Sequence, residues 1–341
     1  MTVSELADII TAFGGKKYLA SYVFNFIHSC FAESIEEFTT ASKDIRKKLV
    51  QAGYYISRLN TIEKLYDPDG TSKYLFEMPD GERLETVRLT DAGRTTVCIS
   101  SQAGCKLGCK FCATGCLKFK RNLTAAEITD QVIQISKDAG KISNVVFMGM
   151  GEPLENYENV IKAVRILAHP KGLNIGIRKQ TISTCGIIPG IKALADEDIL
   201  PRLAVSLHAP TDDIRSRIMP IAKKYPLNPL ISAMKQYQRK TSRRITIEYC
   251  MIKGINDSVQ CAEALTKLLR PLQINVNLIE YNPHPGCNFE GSSPRVIKLF
   301  KDTLMQLGVE TIIRYRRGRT IKAACGQLGA DSIKKDNNNK F

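Results

Sequence analysis

Thr96-Val-Cys98-Ile-Ser-Ser-Gln-Ala-Gly-Cys105-Lys-Leu-Gly-Cys109-Lys-Phe-Cys112 starts as a short apolar run and leaves it as a glycine-containing loop with thiols at C-x3-C-x2-C spacing. Its apolar start, Thr96–Ser100, is the first of a series. Runs of similar length stand at Asn144–Met148, Lys179–Ser183, Arg202–Ser206, Arg244–Tyr249, Asn275–Ile279 and Glu310–Arg314. Amphipathic helical stretches such as Thr124–Lys137, Asn156–Leu167 and Ser258–Leu269 lie between them. Strand and helix in alternation predict a parallel α/β sheet, and six or seven such units predict an open or closed barrel. Barrels of this kind do their chemistry at the C-terminal ends of the strands. The unusual residues of this chain stand there.

Three thiols on a flexible loop can wrap one face of a compact [4Fe–4S] cluster and leave its fourth iron open to a substrate. The spacing resembles the signature of radical S-adenosylmethionine (SAM) enzymes. Two other readings compete for the same residues. A structural zinc site takes four ligands in paired C-x2-C arms, and Cys116 could close the cluster as a fourth ligand, making an electron carrier. The next strand run ends in Phe147-Met-Gly-Met-Gly151-Glu152-Pro153. Glycine there lets backbone approach a ligand, and a glutamate can accept from an ammonium group such as SAM carries. Ser183-Thr-Cys-Gly, Ser206-Leu-His208-Ala-Pro and Tyr281-Asn282-Pro add polar groups at further strand ends, each equally readable as a cap or turn.

The chain has 341 residues, 43% hydrophobic and 24% charged, a globular mix that excludes disorder, collagen and coiled coil as the main architecture. Lys plus Arg number 49 against 34 Asp plus Glu, a formal charge of +15, and such a balance points to a polyanionic partner. The start, MTVSELADII, does not read as a signal peptide. The longest stretch without Asp, Glu, Lys or Arg, Tyr18–Ala32, is too short and polar to span a bilayer. Eleven cysteines, an odd number, are too sparse for a secreted disulfide scaffold. A cytoplasmic protein without a membrane partner is expected.

Ahead of the repeat, 2–13, 16–32 and 34–52 read as helices. Strands are predicted from Arg58 to Leu65, Lys73 to Met78 and Arg83 to Leu89, separated by Asp67-Pro-Asp-Gly70 and Pro79-Asp-Gly81. The expected divisions are a helical accessory unit (1–58), a β-meander (59–94), a barrel with a C-terminal cysteine loop (95–330), and a tail (331–341) whose low-complexity end, Lys334–Phe341, is expected to be disordered.

Cys98–Gly115, the Met-Gly-Met-Gly-Glu-Pro turn, Ser206-Leu-His-Ala-Pro, Tyr281-Asn-Pro and Ala323-Ala-Cys325-Gly-Gln-Leu328 together resemble the RlmN/Cfr family of radical SAM RNA adenine methyltransferases. The resemblance runs from about residue 15 to residue 330 and implies a radical SAM partial (βα)6 barrel. It implies that Cys105, Cys109 and Cys112 hold one [4Fe–4S] cluster. It places SAM, two molecules per turnover, on Gly151, Glu152, Ser183, Ser206, Leu207, His208 and Asn282. Cys325 matches the S-methylcysteine that carries the methyl group, Cys98 the cysteine that later forms a transient disulfide with it, and Glu85 the proton acceptor. The implied substrates are 23S ribosomal RNA, at its peptidyl-transferase centre, and the tRNA anticodon loop. The implied electron donor is a protein such as flavodoxin, and the enzyme is expected to be a monomer. Carbon 2 of adenine is the expected position, since Pro153 resembles the RlmN branch; the Cfr branch, which methylates carbon 8, tends to carry Ala there. One departure stands out. Acidic residues usually precede Ala-Ala-Cys in the family, whereas this chain has Arg316-Arg-Gly-Arg319-Thr-Ile-Lys322.

Basic pairs at Lys118 to Arg121, Arg178-Lys179, Lys223-Lys224, Arg239-Lys240, Arg243-Arg244 and Arg314 to Lys322 suit phosphate contacts that position RNA. Three functions stay in contention: a two-SAM RNA adenine methylase, an iron–sulfur electron carrier using Cys116, and a zinc-stabilised RNA-binding module. Gly151-Glu152-Pro153 and Cys325 are expected only under the first. Cys30, Cys185, Cys250, Cys261 and Cys287 read as structural.

Overall fold

Runs such as Asn144-Val-Val-Phe147 are β-branched and too short for helices, so they can bury both faces only as strands of a covered parallel sheet. The computed structural model of the protein describes residues 1–331. Ten strands form one sheet in chain order: β1 (Asn60–Tyr66), β2 (Ser72–Glu77), β3 (Arg83–Asp91), β4 (Arg94–Cys98), β5 (Asn144–Phe147), β6 (Gln180–Thr184), β7 (Arg202–Ser206), β8 (Ile245–Met251), β9 (Ile274–Glu280) and β10 (Thr311–Arg314). The first four pair antiparallel, as the meander reading expected, and β4 to β10 pair parallel. Among the described residues no ladder joins β10 back to β4, so the barrel is open: six crossovers and a seventh parallel strand.

The crossovers are α4 (Ala125–Ala139), α5 (Tyr157–Ala168), α6 (Ile188–Leu194), α7 (Asp212–Ile218) with α8 (Leu227–Thr241), α9 (Val259–Leu269) and α10 (Pro294–Gln306). Their starts follow local chemistry. Thr124 accepts the Glu127 N–H at 3.2 Å while Glu127 accepts the Thr124 N–H at 2.8 Å, a reciprocal cap for α4. Between helices and sheet lies a continuous core in which Val97, Val145, Ile182, Leu203, Ile247 and Leu278 are fully buried.

The first helices are shorter than expected: α1 (Val3–Ala12), α2 (Leu19–His28) and α3 (Lys43–Gln51). Phe31 adopts a left-handed φ of 58°, which no helix tolerates in its interior, and only one 3₁₀ turn, Ile35–Glu37, precedes the Ser42 cap on the Ile45 N–H. This unit docks on the barrel through polar contacts. Arg58 donates to Asp130 at 2.8 Å, Asp130 also accepts the Leu59 N–H at 2.7 Å, and Ser29 donates to the Gly172 carbonyl at 2.9 Å. Among the described residues no helix is long and apolar enough to cross a membrane. The tail expected to be disordered, Lys334–Phe341, lies outside the described residues.

His28 closes α2 against Phe24, ring centroids 4.3 Å apart, and neither of its ring nitrogens finds a partner. Burial pushes its pKa down to about 3. The unfolded chain therefore binds this proton below about pH 6.5 while the fold refuses it until about pH 3. Stability present above that window is lost as pH falls through it, on the order of 3–5 kcal/mol in full. Acid titration followed by far-UV circular dichroism should show a lower unfolding midpoint for His28→Phe; superimposable acid limbs would contradict this account.

Candidate active site

Parallel pairing aligns the C-terminal ends of β4 to β10 on one rim, where their exits surround a cavity of about 220 Å³. Cys98 ends β4 beside Val146 of β5 and Val87 of β3. The following loop brings Cys105, Cys109 and Cys112 to the cavity wall. Two glycines make the close approach possible. A Cβ on Gly149 would lie 2.7 Å from the Ile99 backbone, and Gly151, with φ +97°, would drive one to within 2.5 Å of Gln102. Any other residue at either position pushes the β5 turn away from the cysteine loop.

Glu152 follows, almost fully buried. Its carboxylate accepts the Cys185 N–H at 2.7 Å and the Leu154 N–H at 3.0 Å. Burial outweighs these bonds and raises its pKa to about 7, so a cation brought beside it would favour the ionised form. Ser183, Ser206 and Asn282 line the same cavity. So does His208, whose left-handed φ of 58° is held by Asn256 donating to its carbonyl at 2.7 Å. Its Nδ1 accepts the Cys250 N–H at 2.9 Å, and its ring meets Phe111 of the cysteine loop edge-on, centroids 4.5 Å apart. Burial lowers its pKa to about 3, so the ring is a neutral spacer at working pH. Leu207, by contrast, is fully buried beneath the wall, with its N–H on the Glu248 carbonyl.

After β10 the chain crosses the mouth as a strap carrying Cys325. Cys325 lines the cavity, and its exposed surface faces that space. Asn282 donates to its carbonyl at 2.9 Å, and Arg316 in turn contacts the Asn282 side chain and the Tyr281 carbonyl. Burial pushes the Cys98 thiol up to about 12, with Cys325 adding to the rise and Arg314 opposing it. Cys325 is likewise raised by burial and lowered by Arg314. The departure from the family pattern finds its partner here. Asp69 accepts the Gly318 N–H at 2.9 Å, Asp67 takes the Thr320 N–H and hydroxyl at 2.8 and 2.7 Å, and Asp91 pairs with Arg317 at 3.0 Å. The acids that hold this basic loop sit on the meander turns.

Glu85 shares a face of β3 with Val87 and Leu89, which line the cavity, but stands one pleat beyond them. Its carboxylate accepts the Gly329 N–H at 2.7 Å and pairs with Lys73 at 3.1 Å. Cys116 is exposed, off the cavity wall, with its sulfur 3.8 Å from the Gly286 carbonyl. Two residues read as structural from sequence do line the cavity: Cys185, whose sulfur is 3.9 Å from that of Cys109, and Cys250. Cys185 directly follows the end of β6, which was the one available signal, whereas Cys250 lies within β8 itself and carried none.

The donors fit an iron–sulfur cluster. Cys105, Cys109 and Cys112 line one cavity wall, and cysteine sulfur is the soft donor that iron in such a cluster takes as thiolate. No three His, Cys, Asp or Glu side chains among the described residues converge tightly enough for a single ion. A cuboidal cluster takes its thiolates at separate corners.

Residues 99–264 match the family model for the radical SAM superfamily. Over 97% of its length and 97% of the relative, the chain is 42% identical to the dual-specificity RNA methyltransferase RlmN of Syntrophobacter fumaroxidans. It is 43% identical to RlmN of Geotalea uraniireducens over 96% of the chain and 94% of the relative. The crystal structure of a radical SAM methyltransferase from Sphaerobacter thermophilus superimposes with a TM-score of 0.91 at 42% identity, covering 97% of this chain and 98% of that one. With relatives this close along almost the whole chain, the resemblance first read from the cysteine loop becomes an assignment: the chain belongs to the RlmN branch of the RlmN/Cfr family of radical SAM dual-specificity RNA methyltransferases.

Proposed function

We propose that the protein methylates carbon 2 of adenine in 23S ribosomal RNA and in the tRNA anticodon loop, through S-methylated Cys325 and a transient protein–RNA crosslink. The observation that carries this reading is the common cavity of Cys98, Cys325 and the C-x3-C-x2-C thiols. Two thiols from opposite ends of the barrel have no packing reason to share it.

Cys105, Cys109 and Cys112 would hold the cluster, with Glu152 accepting from the SAM ammonium and Ser183, Ser206, Leu207, His208, Gly151 and Asn282 completing its site. Bound and reduced, the cluster supplies the electron that cleaves SAM and so starts radical chemistry, which reaches an electron-poor ring carbon that no ordinary methyl transfer would. The chain's own residues do the rest. Cys325 presents its S-methyl carbon to the base; that carbon gives up one hydrogen atom in the radical chemistry and then bonds to the ring carbon. Glu85 takes the ring proton; its tie to Gly329 keeps it beside the strap. Cys98, as thiolate, attacks the Cys325 sulfur; a disulfide forms, the sulfur–carbon bond breaks, and the released carbon takes up a proton to become the methyl group on the RNA. Basic groups on the rim, Arg314 to Lys322 among them, hold phosphates, the helical unit 1–58 grips folded RNA, and the target base leaves its stack to reach the cavity. The enzyme works as a cytoplasmic monomer supplied with electrons by a flavodoxin-like protein.

Anaerobic reaction with ribosomal and transfer RNA, followed by nucleoside mass spectrometry, tests the position. The expected main product is 2-methyladenosine. Accumulation of 8-methyladenosine instead would place the activity in the Cfr branch.

A further inference from the structure

Arg215 on α7 is among the largest fully buried side chains of the molecule, and its charge has no carboxylate partner. No Asp or Glu oxygen among the described residues comes within the 4.0 Å of an ion pair. Its guanidinium instead donates to three main-chain carbonyls: Leu207 at 3.2 Å, Tyr225 at 3.0 Å and Cys185 at 2.7 Å. Asp212, one turn back on the same helix, gives Arg215 a favourable charge only from beyond ion-pair distance, while its carboxylate accepts the Leu227 N–H at 2.7 Å. A buried, unpaired cation is strongly disfavoured, so a fold that keeps one places an anion near it.

The contacts lead to that anion. Cys185, held by Arg215 through its carbonyl, lies with its sulfur 3.9 Å from that of Cys109, and its N–H donates to Glu152. One residue thus touches both a cluster thiol and the acid assigned to SAM. A thiolate-bound [4Fe–4S] cluster with three cysteines is anionic, and reduction makes it more so; hydrogen bonds to its sulfurs and nearby charge set its potential.

We infer that Arg215 is the buried counter-cation of the cluster and Cys185 its thiol hydrogen-bond donor, a bracket that favours the reduced state. The inference rests on Cys105, Cys109 and Cys112 as ligands. Arg215 is a positioning residue: it reaches no substrate, and it acts through Cys185 and through its charge.

The test is an EPR-monitored redox titration of the anaerobically reconstituted full-length protein, with iron and sulfide assayed on each sample. Arg215→Met should keep about four irons and lower the reduced-to-oxidised ratio at a fixed potential about tenfold, equivalent to ~59 mV for one electron. Arg215→Lys, which keeps the charge, should recover most of the shift. Cys185→Ala should shift the potential the same way by a smaller amount, and Cys185→Ser should restore it. A loaded Arg215→Met protein with an unmoved potential overturns the inference and leaves the cluster reading standing. Should Arg215→Met fail to fold or load, the Cys185 pair decides: a potential equal in Cys185→Ala and wild type overturns it. Wild-type protein that takes up no cluster overturns the ligand reading, and the inference falls with it.

Discussion

Purified Cys98→Ala protein is expected to carry covalently attached RNA, visible as a nuclease-sensitive mass shift on the peptide containing Cys325. The two cysteines line one cavity, and the nearness of Cys325 adds to the rise of the Cys98 thiol. Their environments differ. Cys325 rides on a strap with surface facing the cavity, whereas Cys98 is fixed at the end of β4 with its thiol pushed up to about 12. A group that must reach a base belongs on the strap, and a group that only resolves an adduct can stay on the rigid strand. Removing Cys325 should therefore abolish methylation with no adduct formed. Removing Cys98 should leave the carbon bound to both Cys325 and the base, since no thiol remains to take the sulfur. Multiple-turnover methylation should fall on the order of a hundredfold or more, while a single adduct per protein still forms. Because thiolate does the attacking, adduct resolution in the wild type should speed up with pH throughout the working range. Free methylated RNA produced normally by Cys98→Ala would defeat this assignment, as would an adduct on Cys250 or Cys185.

What was readable without coordinates was whatever depends on short spacing. The C-x3-C-x2-C loop and the Gly-Met-Gly-Glu-Pro turn are local devices, and neighbouring residues suffice to show that a loop follows a strand. Helix lengths near the N-terminus were overestimated because Phe31 and the turn at Ile35–Glu37 carry no proline or glycine to mark the break. Arg215 was invisible for another reason. Arg215 looks like one of two arginines on the short helix α7, and only the fold, which brings the carbonyls of Cys185, Leu207 and Tyr225 around its guanidinium, turns it inward. The same holds for the Arg316–Lys322 loop. Its basic composition is anomalous until Asp67, Asp69 and Asp91, far away in sequence, are found beneath it. Leu207 illustrates the converse: its motif neighbours line the cavity while its own side chain belongs to the core.

The cluster should depend on Cys112 and be indifferent to Cys116, although only four residues separate them. Cys112 sits at the cavity wall with its thiol pushed up to about 12 by burial and by Cys109, and its N–H bonds to the Cys109 carbonyl. Cys116 is a short helix away (Ala113–Cys116), exposed and turned toward the Gly286 loop. Bringing it to the cluster would mean unwinding that helix, whose Ala113 N–H is bonded to the Gly326 carbonyl at 2.7 Å and whose Thr114 hydroxyl is bonded to the Leu328 carbonyl at 2.7 Å. Both bonds anchor the strap that carries Cys325, so a fourth cysteine ligand would displace the very segment the reaction needs. After anaerobic reconstitution, Cys116→Ala should hold about four irons and cleave SAM at a rate near wild type. Cys112→Ala should retain little iron and cleave no SAM, and Cys105→Ala and Cys109→Ala should match it. Iron and sulfide content, the EPR signal of the reduced protein and 5′-deoxyadenosine formation are the readouts. Loss of the cluster in Cys116→Ala would favour a closed, four-cysteine electron carrier, because the open iron on which SAM binding depends would then be gone.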